Sequence, residues 1–230
     1  MRSAWLLLVC VASGCSSDEA PPPPAGGSCT APQPEKSGEA TYYDADGTGN
    51  CSFDASTDRM VAAINAADYD HAAWCGACLV VSGPAGDIVV RVVDQCPGCA
   101  EGDLDLSREA FEMIAPLSAG RVPITWLPVP CEVDGPISYQ FKDGSNAFWT
   151  AIQIRNHRYP IAKLEARDGS GAYQALPRAD YNYFVDDTGL GDGPYALRVT
   201  DTRGHVLEDM AIALGDNVAR TGSAQFPLCP

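Results

Sequence analysis

Positive charge is what this sequence has least of. Lys and Arg number 15 against 30 Asp and Glu in 230 residues, and residues 38–131 hold no Lys at all. A nucleic acid or another anionic polymer finds no basic stripe to neutralise it, so a neutral partner is expected and nucleic acid is not. Long apolar runs are also missing. The N-terminal run "AWLLLVCVA", Ala4 to Ala12, is too short to cross a bilayer. Histidine is scarce, with three in the chain. His157 stands alone in "RNHRYP" and makes no metal-ligand pattern, so no metal and no cofactor are expected.

The short apolar run has a use of its own. Arg2 precedes it, and Ala12-Ser13-Gly14-Cys15 closes it with small residues before a Cys. That pattern resembles a bacterial lipobox. Residues 1–14 are then a lipoprotein-type signal peptide, and Cys15 is the acylated residue. Residues 15–37, with "SSDEAPPPPAGG", read as a tether stiffened by proline and loosened by glycine. An exported protein is expected, either an outer-membrane or cell-surface lipoprotein or a secreted one. It would touch a membrane only through that anchor.

Cysteine is plentiful, with ten in the chain. Cys10 leaves with the signal and Cys15 carries the lipid. Eight remain: Cys29, Cys51, Cys75, Cys78, Cys96, Cys99, Cys131 and Cys229. An even number in an oxidising compartment fits four cystines, though eight cysteines allow 105 pairings. Two Cys-x-x-Cys pairs, Cys75/Cys78 and Cys96/Cys99, also have a zinc spacing. Export argues against it, because thiols oxidise there before meeting zinc. "AWCGAC" looks like a thioredoxin site as well. Such a site needs its first Cys at a helix N-terminus, where the dipole lowers the thiol pKa. Here "LVVSGPAGDIVVRVVD" follows, which alternates, turns at Ser82-Gly83-Pro84 and reads as a hairpin of 79–81 with 87–93.

The remaining pattern is mostly strand. "EATYY" (39–43) and "RVPITWLPV" (121–129) read as the first and last strands of one unit, residues 38–131. Ser56 to Ala66 carries a helix signature, with a Ser or Thr N-cap, Asp58 in the first turn and Met60, Val61 and Ile64 apolar. A second short helix opens at Ser107 and runs to about Ile114. A link at 132–136 follows. Residues 137–230 hold strand-like segments at 137–145, 148–156, 161–169, 173–185, 195–204 and 206–214, separated by turn signals, which suggests a β-sandwich.

Four stretches carry a family likeness: "GEATYYDADGTGNC", "VVDQCPGCAEGDLDLSREAF", "SNAFWTAIQIRNHRYP" and "DYNYFV". Together they resemble bacterial expansins over nearly all of residues 38–230. The resemblance implies a mainly-β protein. A six-stranded double-psi β-barrel (38–131), related to family 45 endoglucanases, would be followed by an immunoglobulin-like carbohydrate-binding module (137–230). It implies a monomer that binds cellulose or other plant or microbial wall polysaccharide and loosens it without hydrolysis.

The same resemblance names residues. Asp105 in "DLDLS" matches the groove aspartate that acts as general acid in the related hydrolases. Asp94 matches the second groove aspartate and Thr41 the groove threonine. The tyrosine expected two residues after Asp94 is replaced by Cys96, and Tyr42 or Tyr43 could supply the missing ring. Phe148, Trp149 and Tyr181 match the aromatic cellulose-binding face, whose flat rings suit the C–H faces of pyranoses. Phe148 stands where the family has Trp and should bind more weakly. Adjacent rings need a bulge or strand end to share a face. The resemblance implies the cystines Cys51–Cys75 and Cys78–Cys131; Cys96 and Cys99 remain for each other (Cys96–Cys99) or for a rearranged pattern, and Cys29 and Cys229, at opposite chain ends, would pair last (Cys29–Cys229).

Two enzymatic alternatives stand beside this. A double-psi barrel on a lipoprotein also resembles rare lipoprotein A, a peptidoglycan lytic transglycosylase, in which a lone acid such as Asp105 suffices. A family-45-like endoglucanase would use Asp105 with a second carboxylate. Hydrolysis by the usual routes needs such a pair. Asp44 and Asp46 lie in the first loop, where acids beside glycine are more often turn residues.

Overall fold

The computed structural model describes Met1, residues 29–31 and residues 33–229. The expected signal cleavage, Cys15 and the tether up to residue 28 lie outside the described residues.

Six strands close into a barrel. They are β1 (Lys36–Tyr43), β2 (Val61–Asn65), β3 (Cys78–Gly83), β4 (Gly86–Cys96), β5 (Leu104–Ser107) and β6 (Val122–Val129), in the order β1-β5-β2-β4-β3-β6. β1 with β5 and β2 with β4 are parallel, and the other neighbours are antiparallel. Alternation decides what faces inward. Leu79 and Val81 of β3, Ile88, Val90 and Val92 of β4, and Ile124 and Trp126 of β6 are buried together. Helix α2 (Arg108–Ile114) packs Phe111 and Ile114 on that core, and its first turn is capped by Ser107 Oγ accepting from Ala110 N at 3.0 Å.

The helix expected over 56–66 does not form. Ser56 and Asp58 do bond to the backbone two residues on, but in turns: Asp58 N donates to Ser56 Oγ and Met60 N to Asp58 Oδ1. Residues 61–65 are then β2, which is buried at all five positions between β5 and β4. A strand covered on both faces shows no alternation, and a short apolar run cannot be told from helix by period. The helix α1 begins only at Ala66 and ends at Tyr69, with Asn65 as its cap.

The second unit is two four-stranded antiparallel sheets. Its strands are β7 (Ser138–Phe141), β8 (Thr150–Arg155), β9 (Ile161–Arg167), β10 (Tyr173–Ala175), β11 (Phe184–Asp186), β12 (Tyr195–Asp201), β13 (Val206–Ile212) and β14 (Ala219–Thr221). One sheet runs β10-β9-β12-β13 and the other β11-β8-β7-β14. Tyr139, Phe141, Ile152, Leu164, Leu197 and Phe226 fill the space between them. The segment 173–185, expected as one strand, is interrupted between β10 and β11. The short β14 had no signal in the sequence.

Cystines join Cys51 to Cys75, Cys78 to Cys131, Cys96 to Cys99 and Cys29 to Cys229. Cys75 and Cys78 therefore belong to different bridges. Trp74 between them packs edge-on against Trp126, 5.9 Å between ring centres.

The two units meet along a polar seam. Gln153 Nε2 and Asn182 Nδ2 both donate to Cys51 O, at 2.8 and 3.1 Å. Cys131 N donates to Arg158 O at 2.8 Å. His157 is buried there against Gly76, where an added Cβ would lie 2.6 Å from its ring. Burial first, then the nearby Arg91 charge, lower its pKa to about 3, so the ring is neutral. Its Nδ1 bonds to Tyr159 O at 2.8 Å, which makes it a structural histidine.

Candidate functional site

Strand register builds a groove on the outside of the barrel. Thr41 of β1 stands opposite Asp105 of β5, Asp105 opposite Ala63 of β2, and Ala63 opposite Asp94 of β4. These four share a row across four neighbouring strands. Leu104 and Leu106 point into the barrel, so Asp105 between them points out. Ala63, small and buried, stands between the two acids.

Thr41 Oγ1 donates to Asp105 Oδ1 at 2.6 Å. Burial nonetheless pushes the Asp105 carboxyl above the usual carboxylate range. The Thr41 bond opposes that rise and the Asp94 charge adds to it. Asp94 is held differently, with Oδ1 accepting from Asn50 N at 2.6 Å and from Gln95 N at 2.8 Å. The row thus holds one carboxyl biased towards its proton and one carboxylate fixed by backbone donors.

The loop 44–50 folds over Asp94. Gly49 approaches it so closely that a Cβ would lie 2.4 Å from Asp94 Cγ. The other acids of that loop look elsewhere. Asp44 is largely exposed and pairs with Arg108 at 3.7 Å. Asp46 accepts from the Thr48 hydroxyl and from Thr48 N, and those bonds lower its pKa. It is an ordinary turn carboxylate.

The aromatic residues lie on the sandwich. Phe148 and Trp149 close a tight turn into β8, with Asn146 N donating to Trp149 O at 2.8 Å and Phe148 N to Asn146 Oδ1 at 2.8 Å. Because they precede the regular strand, strand alternation does not force the two rings apart. Phe148 is 82% exposed and Tyr181 36% exposed. The Lys142 ammonium lies 5.9 Å from the Tyr181 ring centre.

Comparison with known proteins places this arrangement. A family model described as lytic transglycolase matches residues 35–126. Over 180 residues the chain is 40% identical to the expansin YoaJ of Bacillus subtilis, covering 74% of this chain and 77% of that protein. The chain belongs to the expansin family. The crystal structure of an apo expansin from Clavibacter michiganensis superposes with TM-score 0.78 at 33% identity, covering 85% of this chain and all of the other. An Asp-to-Asn mutant of that expansin, in complex with cellohexaose, superposes with TM-score 0.79.

Within this expansin the ring question of the groove has an answer. Tyr42 points to the core side, against Phe111 at 5.0 Å and under Arg108. Tyr43, one residue on, shares the outer face with Thr41 and packs on Ala45, Val61 and Val93. Its buried hydroxyl has no hydrogen-bond partner among the described residues. Burial and then the charges of Asp94, Asp105 and Asp46 push that phenol well above its ordinary range. Tyr43 therefore brings a neutral O–H to the acids' side of the barrel. Cys96, two residues beyond Asp94 on β4, is half-buried and bonded to Cys99, so it brings a cystine rather than a ring.

One residue beside the candidate row gave no signal in the sequence. Asn50 donates its backbone N–H to Asp94 while its Nδ2 donates to Asp180 O at 3.2 Å, next to Tyr181. Tyr69 O–H also donates to Asp180 O, at 2.7 Å. Asn50 thus ties the groove acid to the segment that carries an aromatic of the platform. Only a fold that brings residues 50 and 180 together gives it that role.

A further cluster has metal-ligand types: Cys29, His205 and Cys229. The two sulfurs are bonded to each other, so they are not thiolates and hold no metal in this state.

Proposed function

We propose that this expansin binds cellulose-type wall polysaccharide on a surface running from Thr41, Asp105 and Asp94 across Asn50 to Tyr181, Trp149 and Phe148, and that it loosens the wall without hydrolysis. The observation that carries the reading is the Asn50 tie, which joins groove and platform side by side. Rings supply grip through C–H contacts with pyranose faces. Asp105, the Thr41 hydroxyl and Asp94 supply donors and acceptors that compete with hydrogen bonds between chains. Hydrolysis would need a second carboxyl placed to activate water or attack. Asp44 and Asp46 are committed to an ion pair and a turn, and Asp94 is held by two backbone donors. Those commitments support a groove that pulls rather than cuts. The chain would act as a monomer without cofactor or metal.

We also propose that residues 1–14 are a cleaved signal, that Cys15 is acylated and that the chain from Cys15 towards Cys29 tethers the two units, joined by 132–136, to a cell surface; the tether expected over 15–37 is shorter than that, because Cys29 is fastened to Cys229 and Lys36 and Ser37 already pair with β6 in β1. The export of expansin relatives supports this placement.

The test is creep of heat-inactivated plant wall strips under constant load, with pull-down on crystalline cellulose run in parallel. Wild type should bind and extend the strips, while Asp105→Asn should bind and fail to extend them. Wild-type creep accompanied by release of reducing ends would defeat the non-hydrolytic reading.

A second reading rests on the match of residues 35–126 to the transglycolase model and on the raised pKa of Asp105. A single acid suffices where the sugar's own hydroxyl attacks. Release of anhydro-sugars from purified peptidoglycan, lost in Asp105→Asn, would establish it instead.

A further inference from the structure

The four cystines sit in unlike surroundings. Cys51–Cys75 and Cys78–Cys131 are buried. Cys96–Cys99 is half-buried, but Asp94 precedes it and Glu101 and Asp103 follow it, so an incoming thiolate is repelled. Cys29–Cys229 is also half-buried, and here a cation touches the sulfur. Arg203 Nε–H donates to Cys229 Sγ at 3.3 Å. His205 Nε2 lies 3.4 Å from Cys29 Sγ and 3.7 Å from Cys229 Sγ.

His205 is itself fixed. It is buried, and its Nδ1 bonds to Asp201 Oδ2 at 2.8 Å. Asp201 is buried too, and its other oxygen accepts from Arg203 N and His205 N, both at 2.9 Å. With Nδ1 turned to a carboxylate, the ring presents Nε2 to the sulfurs. This carboxylate–imidazole–sulfur order is more than a bridge joining two chain ends requires. The cystine also has an approach. Cys229 and Arg203 line a cavity of about 520 Å³ together with Trp74, Pro130, Tyr159 and one acid, Asp70.

We propose that Cys29–Cys229 is a thiol-exchange site, modified at Cys229 by a small anionic thiol that enters this cavity. Arg203 draws the thiolate to Cys229 Sγ. A new S–S bond forms there, the Cys29–Cys229 bond breaks, and its electron pair leaves on Cys29 Sγ. The proton lost by the incoming thiol ends on His205 Nε2, so an imidazolium backed by Asp201 faces the Cys29 thiolate. The products are a mixed disulfide on Cys229 and one free sulfur at Cys29. No net oxidation occurs, because the thiol consumed is matched by the thiol released. The exchange unfastens the segment before β1 from the end of the sandwich and touches none of the groove residues.

The test uses the purified, oxidised full chain with pre-existing free thiols blocked by alkylation. Reduced glutathione is the probe, followed by acid quench, labelling of new thiols and peptide mapping. Glutathione should appear on Cys229 and the new label on Cys29 before any other cystine opens. Arg203→Gln should slow that step about tenfold, as loss of a charge-assisted contact does, and Arg203→Lys should restore most of the rate. Cellulose pull-down of the exchanged protein should match the oxidised form. Opening of Cys96–Cys99 first, glutathione on Cys29 instead, or an Arg203→Gln rate equal to wild type would each overturn the assignment.

Discussion

The groove and the platform are made in opposite ways. Thr41, Asp105, Ala63 and Asp94 occupy one row of a closed barrel, and main-chain hydrogen bonds set their spacing. Phe148, Trp149 and Tyr181 stand on turns outside the regular strands, one of them 82% exposed. A register row cannot slip without turning every neighbour to the other face, so it suits groups whose separations matter. A turn frees adjacent rings from alternation, with Phe148 exposed and Trp149 half-buried, which suits a broad contact. On the proposed function, the barrel then positions and the sandwich grips.

The sharpest way to break this division is Gly49→Ala. Gly49 has φ of +156° and its Cβ would meet Asp94 Cγ at 2.4 Å, so the loop or the carboxylate must move. Creep should be lost while cellulose binding stays within about twofold, since no ring is touched. Loss of both would mean that the two regions are not separable. The converse is Trp149→Ala, expected to weaken cellulose binding about thirtyfold, the scale of a buried aromatic anchor. Unchanged binding would remove Trp149 from the platform.

The seam between the regions can be probed by pH. His157 has its pKa lowered from 6.5 to about 3 by burial, so between those values the unfolded chain takes up a proton that the folded chain refuses. Stability should therefore fall as pH drops through that window. Thermal melts of His157→Asn should start lower at neutral pH but decline less steeply between pH 6.5 and 4 (~one proton's worth of slope). Parallel curves would show that another group carries the dependence. The smallest effect is expected from Asn50→Ala. It keeps the backbone N–H on Asp94 and deletes the amide on Asp180 O, at about 1 kcal/mol of stability and a few-fold in creep. Creep as strong as wild type would make the tie dispensable.

Much of the barrel is readable in the residues themselves. Leu79, Val81, Ile88, Val90 and Val92 alternate on either side of a Gly-Pro signal, so the β3–β4 hairpin is visible, although the turn falls at Pro84-Ala85 and Ser82 and Gly83, expected in it, still pair with Asp87 and Gly86. Ser107 before an apolar pair marks α2. The failure at 56–66 has a physical cause, since Ser56 and Asp58 bond locally whether a helix or a turn follows. Val61 to Asn65, covered on both faces, gives up the alternation that would have marked a strand. In the site, the likeness of "VVD", "DLDLS" and "AFWT" to expansin motifs points at Asp94, Asp105 and Trp149. It is silent on Asn50 and left Tyr42 and Tyr43 undecided, because strand parity separates them only once β1 is paired.

What the sequence determined alone is what depends on near neighbours or on composition. The charge balance pointed away from polyanions, eight cysteines expected in an oxidising compartment called for cystines, and hairpin and cap chemistry placed β3, β4 and α2. The tertiary structure decided what depends on distant segments meeting. It put Thr41 and Asp105 on one row, sent Tyr43 and not Tyr42 to the acids, hung Asn50 between Asp94 and Asp180, and set Asp201, His205 and Arg203 around the Cys29–Cys229 bridge. The reason is the same throughout: a contact between residues far apart in the chain is made by strand pairing and packing, and no local pattern encodes it.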